Sequence, residues 1–173
     1  MQNYKEQLKH ITTLIFDVDG VFTDSSVLLL PDGEQVRIMS SKDGYAVQLA
    51  VKKGIRIAVI SGGRSEAVRM RMNGLGVQDV FLHASNKVII FKEYSQKHQL
   101  SPDEILYMGD DIPDYQVMKH VGLPTCPKDA APEIREISRY ISHKNGGEGC
   151  VRDIIEQVLR AQDKWFDDDS NEW

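Results

Sequence analysis

The chain has 173 residues, 41% apolar and 27% charged, with 13 Gly and 6 Pro. That suits one globular domain able to fold without disulfides or a structural metal, and it excludes a collagen-like, coiled-coil or wholly disordered chain. Lys and Arg number 21 against 26 Asp and Glu, a formal net charge of −5, so the basic field of a general nucleic-acid binder is missing. The longest apolar runs, such as Val88-Ile89-Ile90-Phe91, are too short to span a bilayer. The stretch Met1-Gln2-Asn3-Tyr4-Lys5-Glu6 has no signal-peptide core. A cytoplasmic location is expected, with Cys126 and Cys150 reduced and structural because their spacing makes neither a disulfide framework nor a metal motif.

The first predicted strand, Thr13–Val18, is continuously apolar at Leu14-Ile15-Phe16, as expected of a strand covered on both faces. It runs into Asp17-Val18-Asp19-Gly20-Val21-Phe22-Thr23, where alternate residues share a side, so both carboxylates address one spot. Gly20 lets the backbone turn close to a ligand. The run from Val27 to Met39 reads as a hairpin turning at Asp32-Gly33, within hairpin limits of about 26–40. An isolated hairpin is marginal in water, so this one must pack on its own domain or on another chain, and a subunit interface is the favoured expectation. A helix over Asp43–Lys53 follows, stopping at Gly54.

The second strand, Arg56–Ser61, ends in Ser61-Gly62-Gly63-Arg64-Ser65, a hydroxyl and free backbone N–H groups at the opening of a helix that runs on to Gly74, a ready anion site. After the strand Asp79–Leu82, Lys87 opens the helix Lys87–Gln99, where a cation opposes the helix dipole unless an anion sits nearby. The strand Glu104–Met108 leads into Gly109-Asp110-Asp111-Ile112-Pro113-Asp114. Three carboxylates there repel one another unless a cation is present, and oxygen ligands suit Mg²⁺ rather than zinc; some of the three could instead cap the short helix Ile112–Lys119. A strand at Val121–Thr125 and a helix over Gly149–Gln162 complete the series, with an acidic tail over about 163–173. The tail is expected to be a frayed, solvated end, unless its tryptophans Trp165 and Trp173 dock on a neighbour. Strands alternating with helices define an α/β, doubly wound, mostly parallel sheet in a single domain over 1–173, with ligands expected beyond the C-terminal strand ends. The five histidines (His10, His83, His98, His120 and His143) are scattered without metal spacing.

Carboxylates, a hydroxyl with free amides, an ammonium and further carboxylates thus arrive in order at one sheet edge. The set D-x-D-G-x-x-T, Ser-Gly, Lys and G-D-D resembles the haloacid dehalogenase superfamily of aspartate-nucleophile phosphotransferases over roughly Thr13 to Thr125. The resemblance implies that Asp17 takes the phosphoryl group and Asp19 acts as acid and then base. It implies that Asp17, the Asp19 main-chain carbonyl and Asp110 hold Mg²⁺, and that Ser61 and Lys87 hold the phosphoryl oxygens. Asp111 is expected to orient Lys87 or a metal-bound water, and Asp114 to support the cluster from behind.

Neither interval that could carry a cap domain is long enough for one. The run Phe16 to Asp24, the hairpin, Lys42-Asp43-Gly44 and Gly146-Gly147-Glu148-Gly149-Cys150-Val151-Arg152 narrow the resemblance, over nearly the whole chain, to the family of phosphatases acting on 3-deoxy-D-manno-octulosonate 8-phosphate (KDO-8-phosphate). That family implies a capless homotetramer, hairpins associated and each site completed by a neighbouring subunit, with an anionic sugar phosphate as substrate and KDO destined for lipopolysaccharide. Gly62, Arg64, Arg71 and Lys42 are the candidate substrate contacts, the cations for a sugar carboxylate. The family usually carries a charged residue directly after Thr/Ser-Gly, where this chain has Gly63. Three alternatives stand beside this: a phosphatase of a nine-carbon sialic-type acid 9-phosphate, a phospho-receiver-like regulatory module, and an inactive assembly subunit. Asp19 argues against the receiver, because an acid/base beside the nucleophile promotes turnover, and the intact acidic and lysine set argues against the inactive subunit.

Overall fold

The computed structural model describes residues 3–166. A short helix, α1 (Tyr4–Leu8), precedes β1 (Thr13–Phe16). A two-stranded hairpin, β2 (Leu28–Leu29) and β3 (Gln35–Val36), leads to α2 (Ser41–Lys52). Then come β4 (Arg56–Ile60), α3 (Glu66–Gly74), β5 (Asp79–Phe81), α4 (Lys87–His98) and β6 (Ile105–Met108). The chain closes with α5 (Ile112–Met118), β7 (Leu123–Cys126), α6 (Pro132–Ile137), β8 (Tyr140–Ile141) and α7 (Cys150–Ala161). Six strands form one sheet in the order β5-β4-β1-β6-β7-β8, parallel at every pairing. This is the doubly wound α/β architecture expected from the alternating sequence pattern. Among the described residues no helix is long and apolar enough to cross a membrane.

The continuous apolar runs are explained by two cores, one on each face. In β1, Leu14 and Phe16 pack with Ile57, Val59, Leu106 and Met108 against α2 and α7. The alternate residues Ile15, Ala58, Ile60, Ile105 and Tyr107 pack against Phe91 and Tyr94 of α4 and Val117 and Met118 of α5. A strand covered on both sides has no solvent face on which to place polar residues. Polar side chains therefore begin where the strands end.

Several boundaries differ from the sequence expectation. Helix α2 starts two residues earlier, at Ser41, because the Ser40 side chain caps it by accepting from Asp43 N–H at 3.4 Å. The strand expected at Val121–Thr125 is shifted to Leu123–Cys126. Helices α1 and α6 and strand β8, of two to six residues, were not foreseen. The hairpin turns as expected, with Leu30 and Glu34 closing the loop at 2.9 Å and Gly33 at φ 87°. Only the hairpin and α2 lie between β1 and β4, and only α4 and a 3₁₀ turn lie between β5 and β6, so among the described residues neither interval holds a cap domain. Both cysteines are free and buried. Trp165 of the tail is buried on its own chain, edge-on to Tyr45 and 5.2 Å from the Arg152 guanidinium; residues 167–173, with the acidic run and Trp173, lie outside the described residues.

Candidate active site

Strand register brings the site together. Phe16 is paired with Val59 on one side and Met108 on the other, so Asp17, one residue past this register, and Ser61 and Asp110, two residues past it, emerge at one sheet edge. Backbone bonds continue past the strand ends to hold them: Asp17 N–H donates to the Met108 carbonyl at 3.0 Å and Ser61 N–H to the Phe81 carbonyl at 2.9 Å. Beyond Asp17 the chain buckles over buried Thr23, whose Oγ1 accepts from Gly20 N–H at 3.3 Å and Ser25 N–H at 3.2 Å. Gly20 has φ 82°, and a Cβ there would overlap the Asp110 carboxylate, so only glycine lets this loop lie against the G-D-D turn. The C-terminal glycine run grips the same loop: Gly147 N–H donates to the Val21 carbonyl at 3.0 Å, and the Cys150 thiol points at it from 3.1 Å.

Lys87 is the hub. Its Nζ lies 2.7 Å from Asp17 Oδ2 and 2.7 Å from Asp114 Oδ1, and an ammonium has three N–H groups, so one remains for a ligand. Burial alone would lower its pKa, but the charges of Asp17 and Asp114 outweigh burial and raise it. Asp114 is fully enclosed. Its Oδ1 also accepts from the Tyr107 hydroxyl at 2.6 Å, and its Oδ2 accepts from Asp110 N–H at 3.1 Å. Asp114 thus lies behind Lys87 and Asp110, bonded to both. Lys87, however, is oriented by Asp114 and not by Asp111, which is exposed and caps α5 through Ile112 N–H at 2.8 Å. Tyr107 was missed because it sits inside an apolar strand run.

Oxygens of Asp17, Asp110 and Asp114 lie within 4.8 Å of one another. Burial, then the neighbouring carboxylates, push Asp17 up to about 7 and Asp110 up to about 8, with Lys87 offsetting part of the shift. A cluster of oxygen donors with more negative charge than its one lysine can balance fits a hard divalent cation such as Mg²⁺. With Asp114 committed to Lys87, Tyr107 and the Asp110 amide, Asp17 and Asp110 are the carboxylates left to hold it. Among the described residues no histidine enters the cluster.

Asp17, Ser61, Lys87 and Asp110, with Asp19, Ser25, Gly62, Gly63, Asp111 and Pro113, line a cleft of about 390 Å³. Ser61 Oγ accepts from Gly63 N–H at 3.1 Å and keeps its own proton for donation. A second cleft of about 520 Å³ shares Gly62 and Gly63 and is walled by Arg64, Ser65 and the hairpin residues Gly33, Glu34, Gln35 and Arg37. Arg64 therefore lies where a substrate could reach it. Arg71 lines a further hollow of about 250 Å³, next to Arg37 and Ser65, and its guanidinium packs on Gly44. Lys42 lines none of these clefts; the early start of α2 places it, exposed, in the first helical turn. Arg37, overlooked in the sequence, joins the site instead: its Nε and Nη2 reach Asp19 Oδ1 and Oδ2 at 2.6 and 3.1 Å.

A nucleophile-grade carboxylate beside an ammonium, a hydroxyl with free amides and a cation-ready pair of carboxylates at parallel strand ends define a phosphoryl-transfer site of the haloacid dehalogenase type. The family model for haloacid dehalogenase-like hydrolase matches residues 67–154. The 3-deoxy-D-manno-octulosonate 8-phosphate phosphatase of Salmonella typhi is 35% identical over 156 residues, 90% of this chain and 83% of that protein. The crystal structure of the Yersinia pestis phosphatase of the same name superposes with a TM-score of 0.91 at 32% identity, covering 94% of this chain and 88% of the other. The Moraxella catarrhalis phosphatase, solved with a magnesium ion, a phosphate ion and a KDO molecule, gives 0.90 at 28% identity over 94% of each chain. The chain belongs to the haloacid dehalogenase-like hydrolases and, within them, to the KDO-8-phosphate phosphatase family.

Proposed function

We propose that the protein is a Mg²⁺-dependent phosphomonoesterase that hydrolyses KDO-8-phosphate to KDO and phosphate, serving lipopolysaccharide precursor synthesis in the cytoplasm. The observation that carries this is the Asp17–Lys87 pair facing Asp110 in one cleft, with Asp114 buried behind Lys87; a relative of the same fold was solved with magnesium, phosphate and KDO. One oxygen of Asp17 is held by Lys87, leaving the other to attack phosphorus as the ester P–O bond breaks. Asp19 gives its proton to the departing alkoxide. It then takes a proton from the water that attacks the aspartyl-phosphate, which returns Asp17 and releases phosphate. Lys87 and Ser61 hold the phosphoryl oxygens as charge builds on them. Asp17, Asp110 and the Asp19 carbonyl would hold Mg²⁺, which would supply the charge neutralisation that lets one anion approach another.

The hairpin supports the homotetramer. Leu28, Leu29 and Ile38 are 63%, 70% and 86% exposed, an apolar surface of the kind that marks an interface, and its association would bring a neighbouring subunit to the open clefts. A second reading, a nine-carbon acid 9-phosphate as substrate, draws on Gly63, which leaves the cleft wall without a side chain. Membership of a hydrolase family sets aside the receiver module. The test is Mg²⁺-dependent phosphate release from KDO-8-phosphate, the nine-carbon 9-phosphate and hexose phosphates, with Asp17→Asn as control. Preference for KDO-8-phosphate supports the first reading and preference for the nine-carbon acid the second. Release from none, or release unchanged in the variant, rejects both.

A further inference from the structure

Among the described residues, Arg37 is the charged cleft residue whose close contact to Asp19 phosphoryl transfer itself does not call for. It stands just beyond β3 on the hairpin, partly buried, and its guanidinium occupies both carboxylate oxygens of Asp19, with Nη1 donating to the Gln35 carbonyl at 3.0 Å. While that fork is closed, each oxygen of Asp19 already accepts from Arg37 and the carboxyl group is oriented toward the hairpin, with one lone-pair site left on each oxygen. The pair sits where the 390 Å³ and 520 Å³ clefts adjoin, since Asp19 lines the first and Arg37 the second.

Gly63 faces the pair. A Cβ there would lie 3.2 Å from Ser61 Oγ, 3.5 Å from Arg37 Nη2 and 3.6 Å from Asp19 Oδ2. Any longer side chain would have to enter the space beside the guanidinium, and glycine leaves that space open. The other charged residues of the larger cleft, Arg64, Glu34 and Glu66, are exposed, so water screens them more than it screens Arg37.

We propose that Arg37 is a carboxylate-sensing gate on Asp19: in the free enzyme it holds Asp19 out of the reaction, and the carboxylate of a substrate acid in the larger cleft draws it off, freeing Asp19 for the leaving group. A guanidinium that leaves one carboxylate in a partly buried site needs another to replace the paired hydrogen bonds. A sugar-acid phosphate provides it; a phosphate ester with no second anion must break the fork uncompensated. The substrate thus shifts the hairpin arginine by its differential affinity for the open arrangement, and selectivity appears in turnover as well as in binding. In a capless site this gives the hairpin a role in selecting the acid. Arg37 is here a positioning and specificity-determining residue, and the inference rests on the phosphatase reading.

The test compares Arg37→Ala and Arg37→Lys with wild type, all with Mg²⁺, on KDO-8-phosphate (or the nine-carbon 9-phosphate if wild type prefers it) and on arabinose 5-phosphate, which has no carboxylate. In Arg37→Ala, kcat/KM for the acid is expected to fall about 10- to 100-fold, mainly through KM, while kcat for arabinose 5-phosphate rises about 5-fold or more. Arg37→Lys, a point charge that cannot fork, is expected to recover part of the KM for the acid while keeping the raised rate on the ester. A parallel loss on both substrates in both variants would make Arg37 a structural residue and overturn the gate. An unchanged rate on arabinose 5-phosphate would reduce it to a simple binding contact and also overturn it. Wild type inactive on every ester would instead reject the phosphatase reading itself.

Discussion

The strand-end cluster and the hairpin are built on opposite principles. Asp17, Ser61, Lys87 and Asp114 are 8%, 2%, 6% and 0% exposed and are fixed by strand register, backbone bonds and buried ion pairs, so their geometry is set when the sheet forms. The hairpin has two residues per strand and exposed apolar side chains, and the Arg37–Asp19 fork is its bond to the catalytic loop. In the proposed reading, chemistry that must not vary is carried by the rigid element, and recognition of the sugar acid is left to the element most easily altered without disturbing the sheet.

Lys87→Met would probe the rigid side hardest. It leaves Asp17 and Asp114 buried beside each other without their cation, a loss of about 3–5 kcal/mol of stability together with a drop of ~10²–10³ in kcat, read by thermal unfolding and steady-state phosphate release. Asp110→Asn separates stability from function. Asp110 is raised to about 8, so its ionisation opposes folding as pH rises from the ordinary carboxylate range through 8. The variant should unfold at higher temperature than wild type without metal at pH 8, and lose the further rise that Mg²⁺ gives wild type.

The hairpin side is broken by Leu28→Asp with Leu29→Asp, which is expected to reduce the mass seen by light scattering to that of one chain while leaving the far-ultraviolet circular dichroism intact. A wild-type monomer at micromolar concentration would remove the hairpin interface altogether. The smallest effect is expected at Asp43, enclosed between α2 and α7, where Oδ1 accepts from Arg152 N–H at 2.7 Å, Oδ2 has no partner and burial lifts the pKa to about 6. Its contribution to stability is present below the unfolded value of 3.8 and is lost as pH rises through 6. The Asp43→Asn minus wild-type stability difference should therefore grow in the variant's favour by roughly 1–3 kcal/mol between pH 4 and 7 and then level off. A flat difference would show Asp43 ionising normally.

The two regions also differed in how far they could be read from sequence. The buried strands announced themselves because both faces are covered, and the polar residues at their ends, Asp17, Ser61 and Asp110, stood out against apolar runs that packing could not explain. Lys87 looked out of place at a helix start, and the structure supplies its reason in the two carboxylates it joins. Asp114 was expected to support the cluster from behind; its bond to the Tyr107 hydroxyl was not foreseen, because a tyrosine in an apolar strand reads as core. Arg37 escaped because the hairpin was weighed by its leucines, and a contact across 18 residues to Asp19 leaves no trace in local spacing. Lys42, a candidate cation for the sugar carboxylate, lines neither cleft, because the Ser40 cap starts the helix early and sets it in the first helical turn. Short elements such as α6 and β8 depend on neighbours rather than on propensity, and so were invisible.

The most direct test is to trap the phosphoryl group. Asp19→Asn, lacking the base that activates water, is mixed with Mg²⁺ and p-nitrophenyl phosphate, whose leaving group needs no acid. The reaction is quenched with acid, and its peptides are read by mass spectrometry. A single phosphoryl group on the peptide holding Asp17, missing when Asp17→Asn is added to the same chain, is the predicted result. A phosphoryl group on another residue, or p-nitrophenol released with no labelled peptide at any time, would contradict Asp17 as the nucleophile.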